Sequence, residues 1–249
     1  MPRVSPEVLH ANLNRLGENP YPGRGIIQGL GAAADRAMQV YWLMGRSPSS
    51  RARTLLLEPD TASPEERLQV STQPFNLPEG TDTSLIIYNA LRSVDGSHIV
   101  TNGDQTDTIV DAIRSGDTFD EALYTRTYEP DAPNYTPRIS GIIDLEQEVP
   151  LATLSVIRKN ALQHHAFHGY ILSPESAGTG LTVHTYMGDG DPLPSFRGSP
   201  YPLQLGETVE ETAELYWDTL NPDNRVALVA KSIDLRSGEE EYKIINANG

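Results

Sequence analysis

The chain has 249 residues, no cysteine and a formal charge of −15, from 34 acids against 19 bases. That length can bury a sizeable core, and zero cysteines exclude a disulfide framework, a thiolate zinc site, an iron–sulfur cluster and a cysteine nucleophile. The acidity argues against a long nucleic acid as partner, since such binding needs a broad basic face, and no run of about 18 apolar residues is present to cross a membrane. Met1-Pro2-Arg3-Val4-Ser5-Pro6 lacks the apolar stretch of a signal peptide, so the expected location is cytoplasmic.

Residues 1–22 are polar, with prolines at 2, 6, 20 and 22, and read as an N-terminal arm holding a short helix. Residues 25–31 and 37–45 are apolar runs joined near Asp35-Arg36, hence a hairpin. Pro48-Ser49-Ser50 breaks the pattern before a strand at 53–57. Residues 59–66 and 74–82 read as loops. Asp95-Gly96 between 84–94 and 97–101 is a strong hairpin signal, because both turn residues tolerate positive φ. Thr106 or Asp107 is expected to cap a helix over 107–115, and Thr118 with Glu121 forms a capping box for a second. Strands follow near 138–145, 151–158, 165–172, 180–187, 225–234 and 241–247. Between the last two pairs lies a helix over 208–220, opened by Thr208 and Glu211. Many antiparallel strands with few helices predict an α+β layer fold of stacked sheets, with residues 1–249 as a single domain.

Charge is uneven along the chain. Arg24, Arg36, Arg46, Arg51 and Arg53 face one acid, Asp35, in the same stretch, which suits a small anion such as a phosphate or carboxylate. The segment Gly45-Arg46-Ser47-Pro48-Ser49-Ser50-Arg51 crowds hydroxyl and guanidinium donors into little space, although an ordinary exposed basic loop has the same composition. Gly23, Gly25 and Gly29 have the wrong spacing and setting for a dinucleotide loop; close backbone packing explains them better. His164, His165 and His168 could suggest a metal, but no carboxylate or further histidine nearby completes a zinc site, and the default is ordinary hydrogen-bonded histidines. No metal or cofactor is expected.

Several segments together resemble the archaeal-type IMP cyclohydrolase family. The matching residues are Gly23-Arg24, Tyr41, Arg46-Ser47, Arg51, Ile87-Tyr88-Asn89, Thr101-Asn102-Gly103, Thr106-Asp107-Thr108-Ile109, Tyr128-Glu129 and Thr136-Pro137-Arg138. Their order and spacing look similar over 23–145, with a looser match around Thr185-Tyr186. Where the family pattern has a histidine, this chain has Gln105, and its N-terminal arm is longer. The resemblance implies a four-layer α/β/β/α sandwich like that of the N-terminal-nucleophile hydrolases, and a homo-oligomer. It also implies closure of 5-formamidoimidazole-4-carboxamide ribotide to IMP with loss of water in purine biosynthesis. Met1-Pro2 offers no terminal Ser, Thr or Cys, so a hydrolase with a terminal nucleophile is not expected.

Such a ring closure needs two arms of one molecule held in a near-attack arrangement, a donor at the formyl oxygen and a proton acceptor at the carboxamide nitrogen. On that reading Tyr88 and Arg51 serve the formyl oxygen and Glu129 serves the carboxamide. Arg24, Arg46 and Arg138 hold the phosphate or base edge. Asn102 binds the heterocycle or ribose, with Asp107 nearby. A nucleotide-binding protein that has lost catalysis is the competing expectation, motivated by Gln105.

Overall fold

The structure is a computed structural model and describes residues 4–63, 67–77, 79–146 and 149–248. Helix α1 (Pro6–Glu18) starts at Ser5, whose hydroxyl accepts the Val8 amide. The hairpin of β1 (Gly25–Leu30) and β2 (Arg36–Met44) is followed by a single-turn helix, α2 (Pro48–Arg51). A meander then begins with β3 (Arg53–Pro59), β4 (Leu68–Pro74), β5 (Asn89–Val94) and β6 (Ser97–Thr101). It is interrupted by α3 (Gln105–Arg114) and α4 (Phe119–Tyr124), and continues with β7 (Arg138–Asp144), β8 (Leu151–Arg158) and β9 (His164–Ile171). The chain finishes with β10 (Thr179–His184), β11 (Tyr201–Gln204), α5 (Val209–Thr219), β12 (Arg225–Asp234) and β13 (Glu240–Asn246).

Strands β3 to β9 form a seven-stranded sheet in chain order, and the other six form a sheet ordered β11-β10-β1-β2-β12-β13. The strand pairings of both sheets are antiparallel. The sheets stack through Ile26, Tyr41, Leu43 and Val229 on one side and Leu91, Val100, Ile139 and Leu154 on the other. Strand alternation sends Ile27, Val40 and Trp42 to the opposite face, where Leu16 of α1 and Ala213 and Tyr216 of α5 cover them. On the far side α3 and α4 lay Ile109, Val110, Phe119 and Leu123 over Ile99, Ile142 and Ile157. The result is the α+β sandwich expected, with helices outside two stacked sheets. No described helix is long and apolar enough to cross a membrane.

The strand limits differ from the sequence reading where polarity hides them. β4 was not foreseen because only Val70 among its seven residues is a buried apolar side chain. β11 carries Pro202, which is tolerated because β11 is an edge strand paired only with β10. Residues 84–88 form a turn rather than the start of β5, since Thr72 takes both polar backbone groups of Tyr88. Helix α3 begins at Gln105, with Asp104 as its N-cap residue and no side-chain cap bond. Thr106 instead bonds Thr101, and Asp107 turns to Asn89 and Arg92. At α5 Thr208 accepts the Glu211 amide as expected, but the Glu211 carboxylate takes the Glu207 amide and leaves the box half closed.

One charged cluster is buried between the sheets at the end remote from Arg24. The Lys231 ammonium donates to Ser93 Oγ at 2.8 Å and to Glu240 Oε1 at 2.7 Å, and it lies 3.0 Å from His98 Nδ1, which itself sits 2.9 Å from Glu240 Oε1. Burial, then Lys231, pushes the His98 imidazole down to about 4. Burial works against the Glu240 carboxylate, but its bonds to His98, Lys231 and Tyr242 hold it well below the ordinary range. A buried ammonium without its carboxylate is expensive, so Lys231 and Glu240 depend on one another.

The pH dependence follows in sign. A histidine kept neutral in the fold and charged in the unfolded chain withdraws stability as pH falls from about 6.5 to about 4. The depressed Glu240 contributes stability that is lost at still lower pH. Urea unfolding is expected to show Lys231→Ala destabilised by about 3–5 kcal/mol, while the double change Lys231→Met with Glu240→Gln recovers most of the loss.

Candidate active site

Arg24 enters the interior because Gly23, at φ +76°, turns the chain immediately before β1. A Cβ at Gly23 would lie 2.1 Å from Thr185 Oγ1, the atom that accepts the Arg24 backbone N–H at 3.1 Å. Only glycine combines that dihedral with that proximity. The Arg24 guanidinium then meets Glu129 Oε1 at 2.6 Å, with the two side chains only 11% and 3% exposed. Glu129 is fixed by the loop between α4 and β7, where its amide donates to the Thr136 carbonyl.

Asn102, at the end of β6, supports the carboxylate from behind. Its Nδ2 lies 3.4 Å from Glu129 Oε1 and 2.9 Å from the Pro137 carbonyl. Its Oδ1 accepts from the Ile139 amide and from Gln105 Nε2. Gln105 is itself fully buried, and its Oε1 accepts from Arg138. Gln105 therefore acts on Glu129 through its neighbours, by orienting Asn102 and holding Arg138.

The pair opens onto a cleft of about 360 Å³ bordered by Arg46, Ser50, Ile86, Asp131 and Tyr186. Arg46 packs over the Tyr21 ring at 5.1 Å and is bound to Asp189. Tyr186, Thr136 and Asp131 form a hydrogen-bond chain along one wall. A carboxylate only accepts, so Thr136 donates to Asp131 and receives the Tyr186 proton. Next to Arg24, the Tyr88 and Tyr41 hydroxyls lie 2.6 Å apart.

These surroundings shape the proton affinities. Burial raises the Glu129 carboxyl above its ordinary value, against the pull of Arg24 and Arg138. Burial opposes the Arg24 charge, but Glu129 and the neighbouring phenols reverse that and hold its proton firmly. Burial pushes the Tyr41 phenol up, reinforced by Tyr88, and takes Tyr186 to about 12. The arrangement offers a carboxylate with increased basicity, a fixed cation beside it and several neutral phenolic donors.

The eight residues singled out in the sequence divide. Arg24, Arg46 and Glu129 border the cleft and Asn102 backs Glu129, whereas Tyr88 does not border it: its ring is buried in the apolar cluster between the sheets and its hydroxyl meets Tyr41 beside Arg24. Arg51 does not join them. It points outward from α2 to the Asp223 carbonyl, so the expected place of Arg51 at the formyl oxygen is corrected, and of the basic stretch Arg24 and Arg46 are the arginines that border the cleft. Arg53, two residues on, is the inward arginine, bonded to the Ser50 and Ile86 carbonyls. Arg138 lines a different cavity and is held by Asp104, Gln105 and the Thr127 carbonyl. Asp107 faces Asn89 and Arg92, away from the cleft. His164, His165 and His168 lie on the edge strand β9, where His165 bonds Gln163. Among the described residues no three potential metal ligands gather.

Tyr21, Asp131 and Tyr186 were not foreseen at the cleft. Tyr186 reaches it from just beyond β10, 50 residues from Thr136, and the sequence marks it only by the loose family match around Thr185-Tyr186. Asp131 was legible only as part of a stiff proline-rich loop.

A two-sheet α+β sandwich whose polar cleft holds a buried Arg–Glu pair and the phenols of Tyr21 and Tyr186 has the make-up of a small-molecule site. The family model described as IMP cyclohydrolase-like protein matches residues 21–239, and the chain belongs to that family. Comparison with curated proteins gives no match.

Gly23→Ala is expected to lower stability by about 1–3 kcal/mol, because alanine must adopt a left-handed dihedral while its methyl displaces Thr185. Denaturant unfolding measures it. A Gly23→Ala protein as stable as the parent removes Gly23 as the reason for the path of Arg24.

Proposed function

We propose that the protein closes 5-formamidoimidazole-4-carboxamide ribotide to IMP with loss of water. The observation that carries this reading is the buried Arg24–Glu129 pair at the cleft, in a chain of the IMP cyclohydrolase-like family. The carboxamide nitrogen attacks the formyl carbon, a C–N bond forms, and the nitrogen loses a proton. The formyl oxygen gains negative charge, takes up one proton for the one the carboxamide nitrogen lost and a second for the one the formamide nitrogen releases, and leaves as water as the C–O bond breaks and a C=N bond forms.

Glu129 suits the first proton, since burial raises its affinity while Asn102 and Arg24 fix its orientation. Arg24 and the Tyr41–Tyr88 hydroxyl pair suit the developing oxyanion, a part that Arg51 is turned away from. Arg46, with the hydroxyls of Ser47 and Ser50, supplies donors for the phosphate at the cleft mouth. Arg138 and Asp107 keep the surrounding loops in place. Ring closure of this kind needs geometry first, and the rigid strand ends and capped loops around the pair supply it.

Incubating the protein with the formylated ribotide and following IMP formation tests the proposal. A protein that binds IMP without forming it from this substrate overturns the enzymatic reading and leaves the binding one. Tyr88→Phe is expected to lower kcat by roughly ten- to a thousandfold with little change in nucleotide affinity. Arg51→Ala leaves both within about twofold, while Arg46→Ala weakens binding by roughly tenfold. The acid limb of kcat/KM should begin above the ordinary carboxylate range. As pH falls through the raised Glu129 value the base is protonated and the rate drops, and Glu129→Gln abolishes that limb.

A further inference from the structure

We propose that a second cavity, beside the C-terminal end of α1, binds a nucleoside monophosphate by its heterocycle and its phosphate. The cavity has a volume of about 470 Å³, within the range of small-molecule sites and larger than the cleft at Glu129. It is bordered by Arg15, Asn19, His184, Phe196, Arg197 and Tyr201, none of which borders that cleft.

His184 is the built element of this site. The residue is 4% exposed, and its Nδ1 lies 2.9 Å from the Tyr186 carbonyl. A carbonyl only accepts, so Nδ1 carries the proton and Nε2 is left as a bare acceptor. Nε2 has no hydrogen-bond partner among the described residues, and it is not among their fully enclosed, unsatisfied atoms, so it opens onto the cavity that the ring lines. Burial pushes the imidazole down to about 4, and the lone pair is therefore present at neutral pH. The complement of a fixed, neutral acceptor is an N–H donor, as on the exocyclic amine or ring nitrogen of a nucleobase.

The walls fit the remainder of such a ligand. Phe196 and Tyr201 stand edge-on to His184, with centroids 4.5 and 5.8 Å away, and give a flat ring apolar contact. Arg15 lies over Tyr201 at 3.9 Å, and neither Arg15 nor Arg197 takes part in an ion pair among the described residues. Two guanidinium forks without a carboxylate partner, one of them resting on Tyr201, at one rim of a chain with charge −15 suit a phosphate. Glu18, at the same rim, is placed to accept from sugar hydroxyls.

Isothermal titration calorimetry of the full chain with AMP tests the site, with adenosine and inorganic phosphate as partial probes. AMP is expected to bind, and Arg15→Ala and Arg197→Ala should each weaken it by about tenfold or more. Both arginines are exposed, so their replacement leaves folding intact. Adenosine and phosphate should each bind more weakly than AMP. No measurable binding at about 1 mM AMP overturns the proposal. So does AMP binding that survives both arginine changes but is lost in Arg46→Ala, which would put the nucleotide in the other cleft. Phosphate binding as tightly as AMP would remove the heterocycle from the site. None of these outcomes depends on turnover of the formylated ribotide.

Discussion

A guanidinium and a carboxylate 2.6 Å apart, both withdrawn from water, cannot be left unmatched. Arg24 and Glu129 come from opposite halves of the sandwich, one before β1 and the other in the loop before β7. Their contact therefore fixes how the ends of the two sheets meet. Around it, Thr185 takes the Arg24 amide, Asn102 supports Glu129, and Gln105 and Ile139 hold Asn102. Each of these bonds satisfies a group that would otherwise be buried without a partner, so the site and the closure of that end of the fold are one network.

The opposite end uses the same device with different residues. Lys231 of β12 meets Ser93 and His98 of the other sheet and Glu240 of its own. Between these two charged ends the sheets touch through the apolar central cluster, which includes Tyr41 and Tyr88, and through Gln28 and Gln39, whose amides donate to the Ile142, Thr153 and His98 carbonyls of the other sheet. Polar networks at both ends of an apolar seam oppose sliding of one sheet over the other, because a shift of one residue would unpair several buried charges at once.

Strand positions could be read from the sequence wherever apolar runs were bounded by turns, as at 25–31, 37–45 and either side of Asp95-Gly96. It could not be read at β4 or β11. Leu68-Gln69-Val70-Ser71-Thr72-Gln73-Pro74 carries too few apolar side chains, and its place is set by hydrogen bonds to β3 and β5. For the site, Arg24, Glu129 and Asn102 were accessible because each sits in a short segment resembling family motifs. Arg51 misled for a local reason. The single turn of α2 rotates successive residues by about 100°, so the arginine within it faces outward while Arg53, back on a strand, faces in.

By itself the sequence determined the class of fold, the absence of thiol chemistry, the helix starts at Thr118 and Thr208, and the family of the chain. The family rests on a resemblance carried by the joint order of short motifs over 23–145; the others depend on composition, short-range periodicity and local turn chemistry, all carried by neighbouring residues. Only the tertiary structure decided which arginines meet an anion, that Tyr186 and Asp131 join the cleft through Thr136, and that the His184 acceptor faces a separate cavity. Those facts depend on where distant strand ends come to rest and which way a side chain points there, and no short stretch of the chain carries that information.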